Sequence, residues 1–124
     1  MAPETSKVGM DSADVVIRTL EEWEACKGGD KTILLHMGSE LCVKCPDFAE
    51  RIHSLKKERQ FKHVYANLYD VEEDLYEELG VTQLPAYMLV SAEETLSGQA
   101  ASPEQVAEAV HRVCAAVLCL DEDF

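Results

Sequence analysis

No long apolar run interrupts this chain. The longest stretch free of polar residues, residues 113–120, has eight residues, against the ~20 that a membrane-spanning helix needs. Residues 1–10, MAPETSKVGM, carry no apolar segment of the kind found in a secretory signal, so a cytoplasmic location is expected. Basic residues are scarce: 11 Lys and Arg stand against 24 Asp and Glu, a formal net charge of −13. That balance excludes nucleic acid as a partner, because its phosphates call for clustered cations. It also speaks against an anionic membrane surface, and it directs partners toward basic surfaces. Internal repeats, low-complexity tracts and length for a second domain are all missing, and 124 residues point to one core. Cysteines number five, at Cys26, Cys42, Cys45, Cys114 and Cys119. An odd count at irregular spacing is not the disulfide framework of a small secreted domain.

What is present is an ordinary globular composition, 47% hydrophobic and 28% charged, organised around residues 32–60. Residues 32–36 are apolar with a β-branched start and read as a central strand. Gly38, Ser39 and Glu40 break it, and Cys42-Val43-Lys44-Cys45 falls where a helix begins. Cys45, Phe48, Ala49, Ile52 and Leu55 then recur at three- and four-residue spacing, the buried face of a helix, with Asp47, Glu50, Arg51, Ser54 and Lys57 mostly opposite. Pro46 is compatible with the first turn, where few backbone N–H groups have helical partners. A helix N-terminus carries unpaired N–H groups and partial positive charge, which stabilise a thiolate. Cys42, at the very start, gains from this. Cys45 is close enough to bridge to it and faces inward. In a reducing compartment such a pair is catalytic or metal-binding rather than structural.

The flanking chain supplies alternating elements. Residues 1–13 read as a flexible arm, residues 14–120 as the folded domain and residues 121–124 as an acidic tail. Val15, Val16 and Ile17 form a short strand. Thr19 with Glu22 marks a capping box for a helix over residues 20–27, with Leu20, Trp23 and Cys26 inward and Gly28-Gly29 as its stop. Val64, Ala66 and Leu68 alternate with Tyr65, Asn67 and Tyr69 in a strand over residues 62–69. Asp70 is predicted to cap the next helix, with Glu73 completing the box, Val71, Leu75 and Leu79 inward and Gly80 at its end. The acidic cluster Glu72, Glu73, Asp74, Glu77 and Glu78 is its solvated face. A loop over residues 81–85 leads into a strand at residues 86–90, followed by a short edge strand over residues 94–97. Ser102, Pro103 and Gln105 open a last helix, with Val106, Ala109, Val110, Val113 and Val117 as its apolar stripe. The order β-α-β-α-β-α-β-β-α predicts an α/β fold: parallel pairs joined by right-handed crossovers, helices on both faces and a closing hairpin.

Cys42-Val43-Lys44-Cys45 at a helix start, Gly80-Val81-Thr82-Gln83-Leu84-Pro85 before an apolar strand, and this element order together resemble the thioredoxin superfamily, over nearly all of residues 15–120. The resemblance implies the thioredoxin fold, a central mixed β-sheet flanked by helices on both faces. It implies a cis Leu84–Pro85 bond beside the cysteines, with the backbone of Leu84 as the edge that holds an extended client peptide. It implies thiol–disulfide exchange: Cys42 attacks a client disulfide, and Cys45 resolves the mixed disulfide. No cofactor or metal is called for. The partners implied are protein disulfide substrates and an external reductant, acting on a monomer. Leu41, Val43 and Lys44 join Leu84 and Pro85 as the client-binding residues.

The departures from the family pattern are as telling. Leu41 stands where thioredoxins carry Trp, and Val43-Lys44 where they carry Gly-Pro. His36 replaces a buried acid, and Ala66 the lysine that partners it. His36 has two readings, a proton acceptor for Cys45 or a core histidine satisfied by nearby backbone. Lys44 is a solvated charge or a further stabiliser of the Cys42 thiolate. Cys26, Cys114 and Cys119 read as small packing residues. His111 and Cys114, three apart, lack the second pair that a structural zinc needs. Two functions follow. One is a dithiol–disulfide oxidoreductase working as a reductase. The other is a redox-inactive or weakly active thioredoxin-like adaptor that binds a protein beside Leu84-Pro85.

Overall fold

Side-chain periodicity divides the chain into strands and helices in a computed structural model that describes residues 13–27, 31–39 and 41–114. The elements are β1 (Val15–Val16), α1 (Leu20–Lys27), β2 (Ile33–Gly38), α2 (Cys45–Lys56), β3 (Lys62–Asn67), α3 (Glu73–Leu79), β4 (Ala86–Val90), β5 (Thr95–Gly98) and α4 (Pro103–Val113). The order is the one expected. The strands form one sheet, β1-β3-β2-β4-β5.

β2 is the centre of that sheet, and all six of its residues are buried. Successive side chains of a strand point to opposite faces. Leu34 joins Phe48, Ile52, Leu55, Val106 and Val110 under α2 and α4. Ile33, Leu35 and Met37 join Trp23, Val64, Ala66 and Leu75 under α1 and α3. A strand covered on both sides has no polar face to show, which is why this one reads as an apolar run rather than an alternation. Each such aliphatic side chain contributes about 1.5–3 kcal/mol by leaving water.

The sheet is mixed, as the resemblance implied, although the element order by itself pointed to parallel pairing of the helix-connected strands. β1 and β2 both run parallel to β3. β4 lies beside β2 but antiparallel to it, with Met37 opposite Ala86 and Ile33 opposite Val90. The helix between β3 and β4 does not impose a parallel return. The chain leaves α3 at the end of the sheet where β2 finishes, so β4 begins there and runs back. β5 pairs antiparallel with β4, as expected of a hairpin.

Of the three capping boxes expected from the sequence, those at Thr19 and Ser102 form. Thr19 and Glu22 bond reciprocally, Glu22 N donating to Thr19 Oγ1 at 3.1 Å and Thr19 N to the Glu22 carboxylate at 3.2 Å. Ser102 and Gln105 do the same at the start of α4, at 2.7 and 3.2 Å. Gly80 ends α3 at φ 72°, a left-handed conformation natural to glycine. Asp70 does not cap α3; the N-cap is Glu72, without a side-chain bond. Asn67 is the reason. Its carbonyl accepts from Asp70 N at 2.9 Å and Val71 N at 3.1 Å, and its side chain accepts from Tyr69 N at 3.0 Å. These bonds end β3 at Asn67 and wind residues 68–70 into a turn, which exposes Leu68 and Tyr69 instead of leaving them in the strand. β2 likewise runs on through Gly38, paired with Asn67, two residues past the expected end of the strand at His36.

Trp23 is fully buried, as a core residue should be, and Leu20 and Cys26 pack against the same cluster. Cys114 is buried, which pushes its thiol up to about 11. The expected stop at Gly28-Gly29, Glu40, Val117, Cys119, the acidic tail and nearly all of the N-terminal arm lie outside the described residues.

Candidate functional site

Where β2 ends, the chain must pass from the middle of a sheet to the start of a helix in a few residues. Ser39 makes the turn: its hydroxyl accepts from Leu41 N at 3.2 Å, and its carbonyl from Cys42 N at 3.2 Å. Cys42 O then accepts from Cys45 N at 3.2 Å, and Lys44 O from Phe48 N at 3.2 Å, which starts α2. Lys44 is the N-cap, without a side-chain bond, and Pro46 occupies the first turn. Cys42 therefore lies in the turn before the helix, not at its first residue as the sequence suggested, because the Ser39 turn consumes residues 41–44. Its sulfur reaches the helix end through Cys45, the first helical residue, to which it is bridged by a disulfide with Cα atoms 5.3 Å apart. The two cysteines are unlike in exposure. Cys42 is half-exposed, whereas Cys45 is buried with 6% of its surface accessible.

A shallow groove of about 370 Å³ runs past Cys42, lined by Ser39, Leu41, Val43, Lys44, Thr82 and Leu84. Five of the eight site residues expected from sequence thus meet at one place: Cys42, Leu41, Val43, Lys44 and Leu84. Cys45 and His36 lie beneath it, and Pro85 is buried at its edge. Leu41 and Val43 are 75% and 90% exposed, unusual for large aliphatic side chains. The Leu84–Pro85 bond is cis.

Two residues that sequence reasoning passed over hold this arrangement. Gln99 clamps the loop before Pro85. Its side-chain oxygen accepts from Thr82 N at 2.8 Å and Gln83 N at 3.1 Å, and its amide donates to Gly80 O at 2.8 Å. Ala101 N adds a bond to Pro85 O at 2.9 Å. Tyr76, on α3, donates to Ala66 O at 2.8 Å and lies 3.3 Å from Gly38 O, tying the last residues of β2 and β3 together. Burial raises its phenol pKa above the ordinary value. Neither residue carries a local signal, since each bonds backbone far away in the chain.

His36 sits below the disulfide with only 1% of its surface accessible. Its ring contacts Tyr65 at 4.8 Å, Phe48 at 5.2 Å and His63 at 5.7 Å between centroids. Neither ring nitrogen has a hydrogen-bond partner among the described residues, so the reading of a histidine satisfied by backbone is corrected. β2 spends its backbone groups on β3 and β4, and the surrounding wall is aromatic. Burial, helped by repulsion from His63, holds the His36 pKa well below its usual value. The sign for stability follows. The unfolded chain takes up a proton on this ring below about pH 6.5 and the folded chain only at lower pH, so stability is full above that pH and falls as pH falls. Wild type is expected to lose more stability than His36→Leu between pH 6 and 5, by up to about 1.4 kcal/mol per pH unit. Urea unfolding of both proteins across that range checks it; parallel pH profiles would contradict a neutral buried His36.

Among the described residues, no group of three His, Cys, Asp or Glu side chains is placed to hold a metal ion. The arrangement instead offers a partly exposed cysteine joined to a buried one, in a groove lined by Leu41, Val43 and Leu84 together with Ser39, Lys44 and Thr82.

Comparison with known proteins bears on the fold. No protein-family model matches the chain, and no curated protein matches it by sequence. Solved structures do match by shape. Mitochondrial thioredoxin 3 of Saccharomyces cerevisiae, in its oxidized form, superposes with a TM-score of 0.72 at 14% identity, covering 85% of this chain and 99% of that one. Thioredoxin of Schistosoma mansoni gives 0.69 at 13% identity, covering 82% and 96%. Spinach chloroplast thioredoxin f gives 0.67 at 20% identity, covering 79% and 91%. The chain has the thioredoxin fold.

Proposed function

We propose that this thioredoxin-fold chain is a protein dithiol–disulfide oxidoreductase, working as a reductase on protein clients in the cytoplasm. The observation that carries the reading is the unequal exposure of a bridged pair: Cys42 half-exposed in the groove, Cys45 buried beneath it. In the dithiol form, Cys42 is the sulfur that a client can reach. Its thiolate attacks one sulfur of the client disulfide, a new S–S bond forms to Cys42, and the other client sulfur leaves as thiolate. Cys45 then attacks Cys42, releases the second client thiol and restores the Cys42–Cys45 bridge. Two electrons have passed to the client, and an external dithiol or reductase must return them. Lys44, exposed at the N-cap, favours the thiolate on Cys42 through its charge, and the N-terminal N–H groups of α2 do the same. Leu41, Val43 and Leu84 offer apolar contact to an extended client segment lying along Leu84-Pro85. The thioredoxin f2 of one matching structure was solved with ferredoxin:thioredoxin reductase, and a reductant of that general kind is the partner proposed here. The proposed working unit is the monomer.

Reduction of a protein disulfide by excess dithiol is expected to be accelerated by the wild-type chain and to drop to the uncatalysed background with Cys42→Ser. Unchanged acceleration in the variant would end this reading. The exposure of Leu41 and Val43 favours a second reading, an adaptor that binds a partner in the same groove without turnover. It expects partner retention to survive Cys42→Ser and to fail with Leu41→Asp or Val43→Asp.

A further inference from the structure

His36 is buried with both ring nitrogens unpartnered among the described residues, and a neutral imidazole always carries one N–H donor and one bare acceptor. A donor kept from water without an acceptor destabilises the state that contains it. The question is which state of the protein relieves it. Gly38 marks the place. A Cβ built there would lie 3.0 Å from Cys45 Sγ and 3.4 Å from His36 Nε2. The imidazole nitrogen and the buried sulfur thus both crowd the position that a side chain at residue 38 would take, and they approach each other there because residue 38 has none. In the bridged form Cys45 sulfur is bonded to Cys42, and it offers His36 no proton and only a weak acceptor. After reduction it carries a thiol, which donates to Nε2, or a thiolate, which accepts from it. Either pairing satisfies a group that the disulfide form leaves unsatisfied.

We infer that His36, acting through its approach to Cys45 over Gly38, is a positioning residue that stabilises the reduced Cys42/Cys45 pair and so makes its disulfide easier to reduce. The inference rests on the oxidoreductase reading and adds the residue that sets its redox equilibrium. Written with glutathione, the Cys42–Cys45 bond breaks and the glutathione disulfide forms. Two electrons and two protons pass from two glutathione thiols to the two cysteines. His36 enters on the dithiol side alone. Removing it stabilises the disulfide relative to the dithiol, which lowers the reduction potential. Lys44 and the start of α2 act on Cys42 from outside and are untouched by the change.

The test equilibrates the full chain with defined ratios of reduced and oxidised glutathione and reads the bridged fraction. His36→Leu is expected to shift the equilibrium constant toward the disulfide by roughly tenfold, which is about 30 mV. Gly38→Ala sets a methyl carbon 3.0 Å from the Cys45 sulfur and 3.4 Å from Nε2, which must part to admit it, and is expected to shift it the same way. The double variant is expected to add little to either single change, because both remove one contact. A shift under threefold in His36→Leu, a shift in the opposite direction, or fully additive shifts would overturn the inference. Nitrogen chemical shifts of the His36 ring in the unaltered protein give a reading that no substitution can spoil. They are expected to differ between the oxidised and reduced forms, and identical shifts would overturn the inference as well. A pair that exchanges with glutathione but ignores His36 sinks only this inference. A pair that never exchanges sinks the oxidoreductase reading with it.

Discussion

Cys45→Ser is expected to turn a catalyst into a trap. Cys42 remains half-exposed in the groove and still attacks a client disulfide, but the mixed disulfide has lost its internal resolving thiol. In the unaltered chain that thiol is held three residues away at the first turn of α2, with Cα atoms 5.3 Å apart. Effective concentrations of well-oriented intramolecular groups reach 10⁵ M, and even one of about 1 M exceeds a millimolar external thiol by 10³, so turnover is expected to slow on the order of 10³-fold or more. The trapped species should appear on a non-reducing gel as client joined to the variant and should vanish on adding dithiol. Cys42→Ser, and the double variant, should trap nothing, because the sulfur that remains is buried. Turnover by Cys45→Ser at the rate of the unaltered chain, or trapping by Cys42→Ser, would reverse the roles assigned to the two sulfurs.

Phe48→Ala is expected to be the most damaging single truncation among the residues around the site. Phe48 is fully buried and stands on the face of α2 that carries Cys45. Its ring lies 5.2 Å from His36 and 6.4 Å from Tyr87, and it belongs to the cluster of Leu34, Ile52 and Val110. Truncating a buried Phe costs about 3–5 kcal/mol through lost transfer energy and the cavity left behind. A domain of this size has a total of only about 5–15 kcal/mol. With a urea dependence of 1–3 kcal/mol/M, the unfolding midpoint should fall by roughly 2 M. Phe48→Leu keeps most of the volume and should cost less than about 1.5 kcal/mol. A midpoint for Phe48→Ala within a few tenths of a molar of the unaltered chain would mean that this wall does not support the helix.

The two expectations draw on different kinds of information. That Phe48 is buried could be read from the spacing of Cys45, Phe48, Ala49, Ile52 and Leu55, since a helix repeats every 3.6 residues whatever it packs against. The reciprocal caps at Thr19/Glu22 and Ser102/Gln105 were legible for the same reason. Each joins residues three apart, and the structure forms both. Asp70 stands at the same spacing before Glu73, yet the N-cap is Glu72. A nearby competitor, Asn67, ends β3 and draws residues 68–71 into its own turn first.

The residues of the groove could be named from sequence, but what supports them could not. Gln99 bonds the loop before Pro85 across sixteen to nineteen residues, and Tyr76 reaches Gly38 across 38. No local pattern requires either. The same holds for His36. Its letter invited a proton-relay role or a satisfied core position, and only the packed structure shows an aromatic cage with no partner for the ring nitrogens among the described residues.

By itself, then, the order of residues determined which segments are strands and helices, which of their faces turn inward, where two of the helices are capped and which two cysteines stand together. Those are properties of neighbours along the chain, set by backbone geometry and side-chain periodicity. The tertiary structure decided that β4 runs against β2, that Cys42 sits in a turn ahead of the helix, and that a buried imidazole approaches the Cys45 sulfur over Gly38. Each of these depends on groups brought together from distant parts of the chain, whose pairing is chosen by the packing of the whole sheet and not by any stretch within it.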